Sequence, residues 1–140
     1  MDISPTHHFD VYGREEIVGR IRAWVSSIAG RLGADERATA DIVLAVSEAA
    51  TNAVRHAYLD AQEYHLTLKA RRIGERIVVR VRDYGSKFDP ATIRLPDMGG
   101  VPRVGGYGIY LMRRVMDHVY YMASHPNGME LILVRRRNTA

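Results

Sequence analysis

Three short stretches of the sequence combine residue types that could do chemistry with spacings that would bring them together. The first is Leu44–Tyr58, an otherwise apolar stretch in which Glu48, Asn52 and His56 recur every four residues. Four-residue steps keep side chains on one face of a helix. Burying a carboxylate, an amide and an imidazole without partners costs on the order of several kcal/mol. We therefore expect this polar stripe to face a ligand or a metal ion.

The other two stretches are Asp83-Tyr84-Gly85, at the end of a predicted strand, and Gly105-Gly106-Tyr107-Gly108, at the start of a predicted helix. Glycines before a helix N-terminus let backbone N–H groups approach phosphate oxygens, where the helix dipole also favours negative charge. The amide oxygen of Asn52 and the carboxylate of Glu48 suit Mg²⁺, and an aspartate can accept a hydrogen bond from an exocyclic amine. Each feature alone is more often structural, but together they favour a nucleotide site.

Hydrophobic periodicity predicts the elements that must position these groups. Apolar residues with a period of two indicate strands, and apolar residues at three- and four-residue spacing indicate helices. The predicted elements are a strand over His7–Tyr12, helices over Arg14–Leu32 and about Glu36–Tyr58, a hairpin of Tyr64–Ala70 and Ile77–Val81, a loop over Asp83–Gly108, a helix from Ile109, and strands over Tyr120–Ala123 and Met129–Arg135. Asp35 is the predicted N-cap of the second helix. This order predicts an α+β two-layer sandwich, with a mostly antiparallel sheet and helices on one face.

Length and composition exclude several classes of protein. We expect residues 1–140 to form a single domain that buries roughly two-thirds of its unfolded surface. The net charge of +4 is too small to argue for nucleic-acid binding, and we interpret the arginine pairs as solvated. The chain has no cysteine, which excludes disulfides, thiolate zinc sites and thiol catalysis. Without a signal pattern or an apolar run of about 18 residues, we expect a cytoplasmic protein with no membrane contact.

The three stretches together resemble the sequence boxes of a known family. Glu48-x-x-x-Asn52-Ala53-x-x-x-Ala57-Tyr58 resembles the N-box of the anti-sigma-factor serine/threonine kinases, a branch of the GHKL (histidine-kinase-like) ATPase superfamily. The segment from Asp83 to Pro90 is similar to the DxGxxF box of that branch, and Gly106 to Met112 with Met116-Asp117 is similar to its second glycine box. The resemblance covers nearly the whole chain in the right order, and it implies a Bergerat-type ATP-binding fold.

The resemblance also implies roles for individual residues. Asn52 would ligate Mg²⁺, and Glu48 would act as the general base or position the attacking group in phosphoryl transfer. Asp83 would bind the adenine amine, with Gly85 beside the base. Two further sets of residues complete the implied site: Gly106 and Gly108 at the phosphates, and Val101–Gly105 in the ATP lid. Arg20 matches, by helix alignment alone, an arginine with which such kinases contact protein partners, whereas we assign His56 a structural role.

Taken as a whole, the resemblance implies an ATP- and Mg²⁺-dependent serine/threonine kinase that works as an anti-sigma factor. Such a kinase phosphorylates a small anti-sigma-factor antagonist, sequesters a sigma factor, forms a homodimer and does not bind nucleic acid directly. Two departures leave an alternative open, a non-catalytic nucleotide-binding module for partner switching. Relatives often have Gly-x-Thr where this chain has Gly128-Met129-Glu130, and the short lid has Arg103 as its only basic residue near the glycines. A histidine-kinase fragment is a third possibility, disfavoured because no dimerisation helices precede the domain.

Overall fold

The strands and helices of the protein follow the predicted order. The structure is a computed structural model that describes residues 2–57, 63–85, 106–124 and 127–139. In chain order the elements are β1 (His7–Gly13), α1 (Ile17–Arg31), α2 (Glu36–Asn52), β2 (Tyr64–Ile73), β3 (Arg76–Asp83), α3 (Gly106–Val115), β4 (His118–Ala123) and β5 (Met129–Arg136). A single π-helical turn, Ala53–Ala57, continues α2. Among the described residues, no helix combines the length and the apolar character that a membrane span requires.

The five strands form one antiparallel sheet in the order β1-β2-β3-β5-β4. Alternate side chains on the central strands are fully buried beneath the helices, among them Leu66, Leu68, Ile77, Val79 and Leu133. The side chains between them lie on the other face of the sheet, which we call the open face. Because successive residues of a strand point to opposite faces, the period of two in the sequence predicted this division. The predicted α+β fold with helices on one face is confirmed.

Helix α1 covers the sheet with its apolar stripe. Ile17, Ile21 and Val25 are buried against the core, as their spacing predicts. The predicted start at Arg14 was three residues early, because the backbone N–H of Arg14 donates to Oε1 of Glu16 at 3.0 Å in a turn that precedes the helix. Side chain to backbone bonds of this kind compete with helical hydrogen bonding.

Helix α2 carries the polar stripe and is tied to the end of β5 at two points. Asp35 is the N-cap, as predicted, and its carboxylate accepts hydrogen bonds from the backbone N–H groups of Ala38 and Thr139, both at 2.7 Å. These bonds hold the pKa of Asp35 below its usual value. Six residues further along, Nη2 of the buried Arg135 donates to Oδ2 of Asp41 at 2.9 Å. Both ties fix where α2, and therefore its polar stripe, lies relative to the sheet.

Several element ends differ from the predicted ones. The α-helical part of α2 ends at Asn52 instead of continuing to Tyr58, since a π-helical turn follows. Single π turns of this kind occur often at functional sites. Helix α3 begins at Gly106, three residues before the expected Ile109. The closing strands are longer than predicted, from His118 in β4 and to Arg136 in β5, because ladder hydrogen bonds continue through polar residues.

Candidate functional site

The polar stripe of α2 meets the glycine stretch of α3. Gly108 is buried where the two helices pack together. A Cβ atom at Gly108 would lie 2.8 Å from Oε2 of Glu48 and 3.2 Å from Nδ2 of Asn52. The structure therefore brings together three of the predicted site residues, two from one helix and one from the next. Only a residue without a side chain lets the carboxylate and the amide approach the first turn of α3 this closely.

The side chains of Glu48 and Asn52 are half-buried, and within the described part of the chain neither makes a hydrogen bond or an ion pair. Buried polar groups are normally hydrogen-bonded, so two partly buried groups that no described residue pairs with favour a role in binding a ligand. A carboxylate and an amide oxygen are hard ligands that fit Mg²⁺, which also takes oxygen ligands from phosphates and water. The two side chains therefore fit Mg²⁺.

We expect Gly108→Ala to impair nucleotide binding without unfolding the protein. The added methyl group would displace the ends of two side chains, Glu48 and Asn52, whereas no backbone atom is among its nearest contacts. Displacing side chains that bind a ligand should weaken affinity for Mg·ATP by about tenfold or more. Titration calorimetry measures this affinity. Gly30→Ala, on the exposed surface of α1 with nothing within 4 Å of its Cβ position, is the matched control and should bind as the wild type does. Equal affinity in both variants would refute the close approach.

Asp83, at the end of β3, is the only aspartate among the buried residues of the described chain, with 8% of its surface exposed. Its Oδ1 accepts hydrogen bonds from the backbone N–H groups of Gly85 at 3.1 Å and Met129 at 3.2 Å. Burial raises the pKa of Asp83, while these two hydrogen bonds and the charge of Arg82 oppose the rise. No described residue donates to Oδ2. The carboxylate is thus held in place through one oxygen, which leaves the other as an acceptor.

The hairpin before β5 holds Asp83 from the other side, a contact that the sequence analysis missed. Gly128 has a φ of +86° and lies directly on the backbone of Asp83. A Cβ atom at Gly128 would collide with the carbonyl oxygen of Asp83 and lie 3.0 Å from Cα of Tyr84. The available signal was a glycine in the turn that precedes β5, the strand expected to lie near β3. The contact between this glycine and Asp83 follows from the β3–β5 register, which pairs Arg82 with Glu130.

Tyr84, between Asp83 and Gly85, is fixed on the open face. Its ring stacks on His65 with centroids 4.1 Å apart, and His65 stacks in turn on Tyr12 at 4.0 Å. The Tyr84 hydroxyl and Oγ1 of Thr67 are 2.8 Å apart and share a hydrogen bond. This stack holds the residue that follows Asp83, so the backbone around Asp83 is positioned by the open-face stack as well as by Gly128.

The remaining predicted residues lie at different places. Gly106 is the first residue of α3, where backbone N–H groups have no helical acceptor. Arg20 is exposed on α1, where Nη1 donates to the carbonyl oxygen of Tyr12 at 3.4 Å and no described contact joins it to the polar stripe. His56 lies in the π-helical turn, and its side chain is outside the described part of the structure. The lid residues Val101–Gly105, including Arg103, are outside the described residues.

Sequence comparison relates the chain to serine-protein kinases. Residues 13–135 match the family model described as the histidine kinase-like ATPase domain. The serine-protein kinase RsbW of Listeria innocua is 35% identical over 118 residues, which cover 77% of this chain and 74% of the relative. The serine-protein kinase RsbW of Bacillus subtilis strain 168 is also 35% identical, over 117 residues that cover 78% of this chain and 72% of the relative.

Solved structures share the fold. The RsbU and RsbW domains of Rv1364c from Mycobacterium tuberculosis superpose with a TM-score of 0.70 at 21% identity, covering 95% of this chain and 32% of that one. The present chain thus spans about a third of the Mycobacterium chain. The histidine kinase domain from the Erythrobacter litoralis blue-light activated kinase EL346 gives a TM-score of 0.56 at 21% identity, over 86% of this chain and 63% of that one. The resemblance read from the three sequence boxes is confirmed: the chain belongs to the histidine kinase-like ATPase domain family, in the group of serine-protein kinases that these relatives represent.

Proposed function

We propose that the protein is an ATP- and Mg²⁺-dependent serine/threonine kinase that phosphorylates a small anti-sigma-factor antagonist and sequesters a sigma factor. The observation that carries the proposal is the approach of Gly108 to Glu48 and Asn52, with a Cβ position 2.8 Å from the carboxylate. This approach brings an amide, a carboxylate and the N-terminal turn of a helix to one point, which supports their proposed roles as metal ligand, proton acceptor and phosphate site. Membership of the serine-protein kinase group supports the reaction type.

In this proposal α3 and Asn52 bind the triphosphate end of the nucleotide. The backbone N–H groups of Gly106 and Gly108 lie in the first turn of α3 and would donate to phosphate oxygens, where the helix dipole also favours negative charge. Asn52 would hold Mg²⁺ through Oδ1. When bound, the ion neutralises charge on the phosphates, which is the main requirement of phosphoryl transfer.

Glu48 is the proposed proton acceptor. Its carboxylate lies beside Gly108, and therefore beside the end of α3 that would hold the phosphates. A serine hydroxyl that enters this space would give its proton to Oε1 or Oε2 while its oxygen bonds to the γ-phosphorus and ADP leaves. A positioned general base of this kind accelerates such reactions by about 10²–10⁴-fold.

Asp83 is the proposed acceptor for the adenine amine, through the oxygen that no described residue occupies. We expect Asp83→Asn to weaken ATP binding by about 10–100-fold, because an amide N–H₂ would face the amine donor with another donor. The same amide can donate a hydrogen bond to O6 of guanine, so the affinity for GTP should rise. The preference for ATP over GTP should therefore fall by a larger factor than the affinity for ATP. Competition between the two nucleotides, measured with a fluorescent analogue, checks this. An unchanged preference would exclude Asp83 from base recognition.

Acidification should weaken the binding of ATP through the same residue. Burial raises the pKa of Asp83 above the usual value of an aspartate, so its carboxylate takes up a proton at a higher pH than an exposed aspartate does. Once protonated, the carboxyl group is a donor and no longer accepts from the amine at that oxygen. The affinity for ATP should therefore be highest above this pKa and should decline as the pH falls through it.

Phosphate transfer to a protein substrate tests the function directly. The purified chain, radiolabelled ATP and Mg²⁺ should label a serine of the cognate antagonist, and Glu48→Gln should remove the label. Label on a histidine would instead favour a histidine kinase.

Light scattering tests the formation of a homodimer, which the resemblance implies. Arg20→Ala should weaken binding of the sigma factor without changing the affinity for ATP.

One observation favours the alternative of a non-catalytic, nucleotide-binding module for partner switching. The Gly128-Met129-Glu130 segment is occupied elsewhere: Gly128 and Met129 hold Asp83, and Oε1 of Glu130 accepts from Arg80 at 3.1 Å. Under this alternative the wild-type chain would bind Mg·ATP and the sigma factor but transfer no phosphate to the antagonist.

A further inference from the structure

The open face of the sheet carries a concentrated basic half. His8, Lys69, Arg71 and Arg80 surround a shallow concavity of about 220 Å³ on β1, β2 and β3. In the strand register His8 stands opposite Lys69, and Lys69 stands opposite Arg80. Like charges that face each other across neighbouring strands destabilise a sheet. The arrangement therefore lowers the stability of the fold unless negative charge arrives from elsewhere.

The carboxylates of the described residues leave two of these basic groups without an ion pair. Arg80 donates to Glu130, but Lys69 and Arg71 have no ion pair or hydrogen bond in the described part of the structure. Among the described residues of β1–β5, the acidic side chains that fall on the open face by register are Asp10 and Glu130. Asp10 is already bound to His65 at 2.6 Å and to Thr67 at 2.7 Å.

An apolar half adjoins the basic half in the same face. Tyr120 and Met122 on β4 are each 50% exposed, and Ile132 and Val134 beside them on β5 are partly exposed. The register joins the two halves directly, because Ile132 stands between Tyr120 on one side and Arg80 on the other. Large apolar side chains clustered on an exposed face mark sites where another protein binds.

Charge decides which partner fits. A second copy packed face to face would set Lys69 and Arg71 either against their equivalents or against Tyr120 and Met122, and the described strands of that copy offer no unpaired carboxylate on this face. A nucleic acid would pair with the basic half but would leave the apolar half exposed. A protein segment with carboxylates on one part and apolar side chains on another satisfies both halves at once.

We propose that the open face is a docking surface for an acidic, amphipathic segment of a partner protein. Carboxylates of the segment pair with Lys69 and Arg71, and its apolar side chains cover Tyr120 and Met122. This surface lies on the opposite side of the sheet from α2, so the inference is independent of the proposed nucleotide chemistry.

Fluorescence anisotropy with a labelled peptide that carries glutamates in one half and leucines in the other tests the proposal on the full chain. The double variant Lys69→Glu/Arg71→Glu should bind the peptide about tenfold more weakly or worse, with a smaller dependence on salt. Arg22→Glu/Arg37→Glu, which makes the same change in charge on exposed positions of α1 and α2, is the matched control and should bind as the wild type does. Tyr120→Ser/Met122→Ser should weaken binding at high as well as low salt, because its contribution is apolar.

The outcomes separate the possible occupants. All three variants should keep the circular dichroism spectrum and the ATP affinity of the wild type, since none touches α2 or α3 contacts of the proposed site. Equal loss in the open-face and control variants would reduce the effect to net charge and overturn the proposal. So would a labelled single-stranded DNA that competes fully with the peptide, or a wild-type dimer in light scattering that dissociates in Tyr120→Ser/Met122→Ser.

Discussion

Asn52→Ala is expected to abolish the binding of Mg·ATP, with a loss of affinity of at least about 100-fold. Removing even a group that only orients a metal ligand costs about 10–100-fold in metal affinity, so loss of a ligand itself should cost no less. The side chain of Asn52 is half-buried at the first turn of α3 and has no hydrogen bond in the described part of the chain, so its removal leaves no other described group unpaired. Titration calorimetry of the variant should give no measurable heat at concentrations that saturate the wild type.

Thr51→Ala is the matched control for this result. Thr51 precedes Asn52 on α2, and one residue along a helix is a rotation of about 100°, so its side chain leaves the polar stripe. Like Asn52→Ala, Thr51→Ala replaces a polar residue of α2 by alanine. It should leave the affinity for Mg·ATP unchanged. If the Asn52 variant bound with wild-type affinity, the assignment of the metal ligand would be wrong.

Glu48→Gln is expected to separate binding from chemistry. The substitution keeps the size and shape of the side chain beside Gly108 but replaces the carboxylate by an amide, which does not take a proton at neutral pH. Affinity for Mg·ATP should stay within a few-fold of the wild type, while the rate of transfer to a protein serine should fall by about 10²–10⁴-fold. Single-turnover measurements with pre-bound ATP isolate the transfer step from binding and product release.

The same experiment distinguishes a base from a structural carboxylate. A structural role would predict weaker binding of ATP with an unchanged transfer rate, the reverse of the expected pattern. Transfer in Glu48→Gln at the wild-type rate would remove Glu48 from the chemistry and leave Asn52 unaffected. The pH profile gives a second readout, since a general base produces a fall in rate below its pKa that the glutamine variant should lack.

Local patterns in the sequence were sufficient to predict much of the fold and one half of the site. The period of two over Tyr64–Ala70 and Ile77–Val81, and the helical spacing of Ile17, Ile21 and Val25, each depend on near neighbours alone. The four-residue spacing of Glu48 and Asn52 put both on one helical face for the same reason. Their meeting with Gly108 does not follow from spacing along the chain, because it needs α2 and α3 to pack; it was expected from the combined chemistry of the three stretches and from the resemblance.

Features that depend on distant residues were not predictable from periodicity. The contact between Gly128 and Asp83 arises from the pairing of β3 with β5, strands that are far apart in the sequence. The Tyr12, His65 and Tyr84 stack needs the register of three strands. The start of α1 was missed because Glu16 binds the N–H of Arg14, a local competition between turn and helix that apolar spacing does not record.

The position of the bound metal ion tests the central claim most directly. Mn²⁺ is added in place of Mg²⁺ with a non-hydrolysable ATP analogue. It broadens the NMR signals of nearby amides, and the broadening increases steeply as the distance to the metal decreases. We expect nucleotide-dependent broadening centred on the side-chain amide of Asn52 and the backbone amides of Glu48 and Gly108. Broadening centred elsewhere, or the same broadening around Asn52 in the absence of the nucleotide, would contradict a site built from α2, α3 and the phosphates.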